Sequence, residues 1–186
     1  MKKCLSLIAL ILLVSINVYA ASNETTTTKH DVEQIESEKK VLISDDGKLI
    51  FGEEEWVYFS QVDASFKARV DTGATTSSVS AIDIEAYKKG GKSWVRFKLP
   101  NADNAVNDFN LPVKRWVKIR QSSSDTLHRR AVVELDIQIG NHKSITEFTL
   151  TDREHLTFSV LLGRKYFSNV AIVDVAKRYV QPRFKK

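Results

Sequence analysis

The segment VVELDIQIG, residues 132–140, alternates strictly, with Val133, Leu135, Ile137 and Ile139 on one face and Glu134, Asp136 and Gln138 on the other. A period of two with a single apolar face predicts a half-buried strand. Gly140-Asn141 interrupts it, and Thr146, Phe148 and Leu150 then alternate through KSITEFTL, residues 143–150, so the two runs are predicted to pair as a hairpin. Other short runs, WVYF, FKARV, WVRFKL, RWVKI, FSVLLG and VAIVDV, are rich in β-branched and aromatic residues. About eight short strands with little helix predict a compact all-β domain, a closed or nearly closed barrel. Lys89-Gly90-Gly91-Lys92 predicts another turn, PNADNAVNDFNLP (residues 100–112) a loop, and residues 80–87 one short helix. Residues 32–40 are too poor in apolar positions to assign a helix. No internal repeat suggests a duplicated, two-lobed chain.

The first 40 residues have a different texture. MKKCLSLIALILLVSINVYA starts with two lysines, continues with an apolar run over residues 5–18, and ends Val18-Tyr19-Ala20. This order is that of a cleaved secretory signal, and the run is shorter than the ~20 apolar residues that a permanent span requires. Residues 21–40 are polar and aperiodic and read as a flexible tether, leaving residues 41–186 as the folded domain. The only cysteine, Cys4, leaves with the signal, which removes any disulfide or thiolate metal site from the mature chain. Losing Lys2 and Lys3 takes the formal charge from +5 to +3, too weakly basic to point to nucleic acid. The expected location is the periplasm of a Gram-negative bacterium, with no stable membrane anchor after cleavage.

Chemistry concentrates in FKARVDTGATTSSVSA, residues 66–81, where an apolar strand runs into Asp71-Thr72-Gly73 and then into small hydroxyl residues. A turn accepts those residue types, and so does a catalytic loop. The strand places the carboxylate at the edge of a core, Gly73 permits close backbone approach to a ligand, and the small residues behind it leave a cleft open. Further on, VLLGRKYF, residues 160–167, is an apolar strand ending in Gly163-Arg164 before a helical turn.

In this order and at this distance, RVDTGATTSSVSA and VLLGRKYF resemble the retropepsin-like aspartic peptidases. The likeness is closer to a bacterial branch that carries the label "ATP-dependent zinc protease". EWV (residues 55–57), ARVDTGATTSS, WVRFKL, RRAVVEL, FTLTDR (residues 148–153), LLGRKYF and IVDV (residues 172–175) follow its pattern across the folded domain. The resemblance implies a retropepsin-like closed β barrel with one short C-terminal helix. It implies an aspartic endopeptidase in which Asp71 is catalytic, Thr72 and Gly73 shape its loop, and Ala74 turns its N–H towards the carboxylate. Gly163 and Arg164 would support that loop. One departure stands out: the family's Arg pairs with an acid four residues after the catalytic Asp, and here that position is Thr75. Arg164 is therefore expected to find another partner, with Asp152 the candidate. Asp152-Arg153 reads either as a surface ion pair of little worth or as a buttress of the loop. RQSSSDTLHRR, residues 120–130, reads either as a flap or as an ordinary exposed hairpin, and Trp56, Trp94 and Trp116 as core or rim aromatics.

An aspartic dyad needs two carboxylates, and this chain has one D-[ST]-G. Asp45-Asp46-Gly47 lacks the hydroxyl and Asp125-Thr126 lacks the glycine, so the second aspartate is expected from another copy in a homodimer. No cofactor is implied. The label's zinc finds no H-E-x-x-H, and His30, His128, His142 and His155 are scattered, so no metal site is assigned. ATP finds no phosphate-binding G-x-x-x-x-G-K-[ST]. The expected partner is a peptide or protein substrate, not nucleic acid. The alternative is a non-catalytic periplasmic binding module on the same barrel. The leader generates the first prediction: N-terminal sequencing of the protein from a soluble periplasmic fraction should begin at Ala21. Met1 retained in a membrane pellet would replace this with an anchored reading.

Overall fold

The computed structural model describes residues 40–100, 105–121, 124–152 and 157–184, with the side chains of residues 119–127 left aside. Twelve strands and one short helix follow in chain order among these residues. They are β1 (Leu49–Gly52), β2 (Glu54–Phe59), β3 (Ala64–Asp71), β4 (Ser77–Ser80), β5 (Ile82–Lys89), β6 (Lys92–Pro100) and β7 (Val106–Pro112). β8 (Arg115–Gln121), β9 (Ser124–Ile139), β10 (His142–Thr151) and β11 (Val160–Gly163) precede helix α1 (Arg164–Phe167) and β12 (Ala171–Asp174).

The sheet order β10-β4-β11-β3-β2-β9, closed by pairing of β9 with β10, is a six-stranded barrel. Closure leaves none of the six with two bare edges and gives their inward residues one shared core. Phe59, Phe66, Val79, Leu135, Phe148, Val160 and Leu162 are fully or almost fully buried. Phe59 packs on Phe66 and Phe148, with ring centroids 4.9 and 5.7 Å apart. The predicted hairpin forms, with Ile139 opposite His142 across Gly140-Asn141 and Gly140 at φ 56°. Gly90 and Gly91, at φ 57° and 75°, turn β5 into β6 as a two-residue hairpin requires.

Two expectations fail. Residues 80–87 form no helix: they complete β4 and enter β5. Residues 100–112 are not all loop, because Val106–Pro112 pairs with β6 as β7. β5, β6 and β7 make a separate three-stranded meander beside the barrel, its inner face carrying Val95, Phe97, Leu99 and Phe109. β5 escaped detection because its side chains are mostly exposed and a bulge between Ile82 and Glu85 breaks its alternation. β7 buries only Phe109, so its polar residues read as a loop. The weak segment at residues 32–40 lies outside the described residues except for Lys40.

The end of the chain returns to the barrel through Glu53-Glu54-Glu55. Arg178 Nε donates to Glu53 Oε1 at 2.6 Å, and the Tyr179 hydroxyl to Glu54 Oε2 at 2.7 Å. Glu55 is completely buried; its carboxylate accepts the N–H of Gly52 at 2.7 Å and those of Val180 and Gln181 at 3.2 Å each. A Cβ on Gly52 would stand 2.5 Å from the Lys177 carbonyl oxygen, so the segment passes where only glycine fits. Glu55→Ala should cost about 3 kcal/mol by leaving several buried N–H groups without an acceptor. Urea unfolding reads this, and a loss under ~0.5 kcal/mol would show that the carboxylate does not hold the segment.

Candidate active site

Asp71 ends β3 because its neighbour in the sheet also ends there. β11 runs parallel to β3 with Gly163 opposite Asp71, and antiparallel to β4 with Val160 opposite Val79. Residues 72–76 must therefore cross the end of β11 to pass from β3 to β4. They cross at close range: a Cβ on Gly163 would lie 2.5 Å from the Thr76 carbonyl carbon and 2.7 Å from its nitrogen. The crossing is bonded as well as tight. Arg164 N donates to Ala74 O at 2.9 Å and Lys165 N to Thr75 O at 3.1 Å, while Gly163 N donates to the buried Ser77 Oγ at 3.1 Å.

The carboxylate is fixed by one oxygen. Asp71 Oδ1 accepts the N–H of Gly73 at 2.8 Å and of Ala74 at 3.1 Å, the second as expected from the sequence. Among the described residues no hydrogen bond engages Oδ2. Asp71 is half-buried, whereas Thr72, Gly73, Thr75 and Thr76 are exposed, so the loop presents itself at the surface. Chemically, the arrangement holds one carboxylate in a set orientation through one oxygen and leaves the other open to a ligand.

Arg164 corrects one expectation and explains the departure at Thr75. One guanidinium nitrogen donates to the carbonyls of Thr72 at 2.8 Å and Gly73 at 2.7 Å, and the other to Thr75 Oγ1 at 3.1 Å. The partner is thus the loop itself, not Asp152. Asp152 lies just beyond Thr151, which pairs with Ser80, and Ser80 N donates to Ser159 O at the start of β11, the end opposite Arg164. Arg153 falls outside the described residues.

The sequence reading missed Ser77, one of several hydroxyl residues in a row, with only the register of β4 against β11 to single it out. Around residues 120–130, β8 and β9 pair antiparallel, Ile119 with His128 and Arg120 with Leu127, as either a flap or an ordinary hairpin would. Trp56, Trp94 and Trp116 are half-buried rim residues, each with a cation over its ring: Arg183 at 4.0 Å, Lys89 at 4.8 Å and Arg129 at 4.1 Å.

Comparison with known proteins bears on the chain as a whole. A family model described as "Retropepsin-like aspartic endopeptidase RimB" matches residues 50–184. A protein of Shewanella halifaxensis named "Probable alpha-L-glutamate ligase" is 36% identical over 137 residues, which is 72% of this chain and 30% of that protein. One of the same name from Desulfotalea psychrophila is 34% identical over 141 residues, again 30% of its length. The chain thus spans about a third of the curated relatives it matches. A crystal structure of a Legionella pneumophila protein of unknown function is similar at 27% identity and a TM-score of 0.61, covering 70% of this chain and 95% of that one.

The crossing generates a prediction. Gly163→Ala should displace the loop, because the atoms it would strike are backbone and cannot swing aside. A stability loss of about 1–3 kcal/mol is expected for such overpacking, read by thermal unfolding. An unchanged melting temperature would mean that the loop is not packed on β11.

Proposed function

The chain belongs to the retropepsin-like aspartic endopeptidase family, and from that premise we propose that it hydrolyses peptide bonds with Asp71 as one carboxylate of a dyad. The single observation that carries the reading is the orientation of Asp71, held by two backbone N–H groups through Oδ1 with Oδ2 left open. The second carboxylate is Asp71 of another copy, since the chain carries a single D-[ST]-G and its loop is exposed where a two-fold axis would bring the copies together.

Two carboxylates about 3 Å apart cannot both ionise, so they share one proton. The ionised member takes a proton from water, whose oxygen attacks the scissile carbonyl carbon. The protonated member gives its proton to the carbonyl oxygen, and collapse of the tetrahedral intermediate passes a proton to the leaving amine. No covalent enzyme intermediate forms. Thr72 of each chain braces the partner's loop, and the leader directs the enzyme to the periplasm.

The substrate class follows from two supports. The relatives that share this segment are named for ligating α-L-glutamate, and a hydrolase segment carried beside such an activity suits the same acidic chain. Arg164 and Lys165 adjoin the loop and favour acidic peptides electrostatically.

Asp71→Asn should abolish cleavage of glutamate-rich peptides while the melting temperature stays put, because an amide cannot serve as the base. Excess Asp71→Asn protein should also poison wild-type chains by forming mixed dimers, and activity should rise more steeply than linearly with concentration near the dimer dissociation constant. Chelators should leave the rate unchanged. Sedimentation velocity run beside the cleavage assay decides: full activity in Asp71→Asn, or cleavage by a strict monomer, would sink the dyad. A strict monomer that cleaves nothing would favour the binding module.

A further inference from the structure

β10 has an open edge beside the loop that carries Asp71. β9 pairs with β10 from His142 to Thr149, but β4 covers the opposite edge only from Phe148 onward. In a two-residue hairpin the pair next to the turn, here Ile139 and His142, is hydrogen-bonded, and bonding alternates from there. His142, Ser144 and Thr146 therefore bond to β9, while the backbone groups of Lys143, Ile145 and Glu147 point outward. Among the described residues no strand takes them up. Ile145, in the middle, is 70% exposed. A bare edge with an apolar centre is a template for another strand.

A cavity of about 290 Å³ lies between this edge and α1, with Thr76, Ser77, Lys165 and Tyr166 in its wall. Tyr166 is only 6% exposed, and its hydroxyl has no hydrogen-bond partner among the described residues. The nearby Ser144 hydroxyl is close enough to stabilise the Tyr166 oxygen but falls outside hydrogen-bond geometry with it, and it bonds instead with Thr146 Oγ1 at 3.2 Å. A buried hydroxyl without a partner costs about 1–3 kcal/mol unless something in the cavity accepts from it. Arg115 also lines the cavity and engages Glu147 at 2.6 Å; Lys165 faces the same carboxylate without a direct bond, so the two cations and one carboxylate leave the wall with a net positive charge.

We propose that the edge of β10 from Lys143 to Glu147 is a docking strand for an extended segment of the substrate polypeptide, one of whose side chains enters the cavity and accepts a hydrogen bond from the Tyr166 hydroxyl. The proposal rests on the peptidase reading and adds to it a place where substrate is held away from the scissile bond. Continuity argues for this occupant. β4 occupies the same edge of β10 and begins at Ser77, directly after the loop, so a strand on Lys143–Glu147 lies end to end with β4 and leads to residues 72–76. Main-chain hydrogen bonds would supply affinity, and the cavity would select an acceptor side chain, a carboxylate best of all beside Lys165.

The test uses Asp71→Asn protein, which separates binding from cutting, and the peptide Ac-Thr-Glu-Thr-Glu-Thr-Glu-NH2. Hydrogen exchange read by NMR should show the amides of Lys143, Ile145 and Glu147 protected about tenfold or more by this peptide, and unprotected by the same peptide with every amide N-methylated. Tyr166→Phe, which keeps the ring stacked on Phe51 at 6.2 Å, should weaken binding about tenfold. Ile145→Pro removes an outward N–H, a substitution that edge strands tolerate, and should abolish binding. If that variant does not fold, the N-methylated peptide still decides. Binding without protection of these amides, equal binding of the methylated peptide, or no binding at millimolar peptide overturns the docking edge. Cleavage by wild type without protection would overturn it and leave the peptidase standing; protection without cleavage would do the reverse.

Discussion

The crossing of the Thr76 backbone over Gly163 fixes the rest of the site. At 2.5 Å from a would-be Cβ, no other residue fits there, and the approach lets three strands and a helix converge on one loop. β3 delivers Asp71, β4 departs at Ser77, and β11 between them ends on the glycine that makes room. α1 then starts at once, so its first N–H groups meet the carbonyls of Ala74 and Thr75 rather than water. The orientation of one carboxylate is thus a consequence of strand register, since Asp71 is the last residue of a strand paired on both sides and not part of a free loop.

The barrel in turn is held by a feature that lies away from the chemistry. β2 pairs with β3 along its whole length, from Glu54 opposite Arg69 to Phe59 opposite Ala64. The three glutamates at the entry to β2 receive the returning chain, Glu53 half-buried, Glu54 nearly buried and Glu55 fully inside. A completely buried carboxylate is tolerable only when hydrogen bonds replace its water, and the N–H groups of Gly52, Val180 and Gln181 do so. Closing the end of the chain on β2 therefore also steadies the strand that delivers Asp71.

The parts of this fold legible in the sequence are those whose physics is local. Strict alternation identified β9 and β10, and Gly140-Asn141 their turn. The apolar run ending in Asp71-Thr72-Gly73 and the one ending in Gly163-Arg164 identified the two strands of the site. β5 and β7 were not legible, since Ile82–Lys89 is mostly exposed and Val106–Pro112 buries only Phe109. Nor was the partner of Arg164. Its bonds go to the carbonyls of Thr72 and Gly73, and every residue has a carbonyl, so no side-chain pattern could announce them. The buried Ser77 was hidden for a related reason: whether a hydroxyl in a run of hydroxyls faces in or out is decided by a pairing with a strand 86 positions away.

The replacement of an acid by Thr75 changes how the loop is held as pH falls. An arginine paired with a carboxylate loses that attraction once the carboxylate takes up a proton. Here the guanidinium, which stays charged throughout, donates to two carbonyls and a hydroxyl, none of which titrates in the acid range. The clamp on the loop carbonyls therefore keeps the same hydrogen bonds as the pH falls. It is also less exposed to screening by salt than an ion pair would be, because its acceptors carry no net charge to screen. The loop is thus held from one side by Arg164, through acceptors without net charge, and from the other by the Gly73 and Ala74 N–H groups that Asp71 Oδ1 accepts, so only the second set depends on a carboxylate.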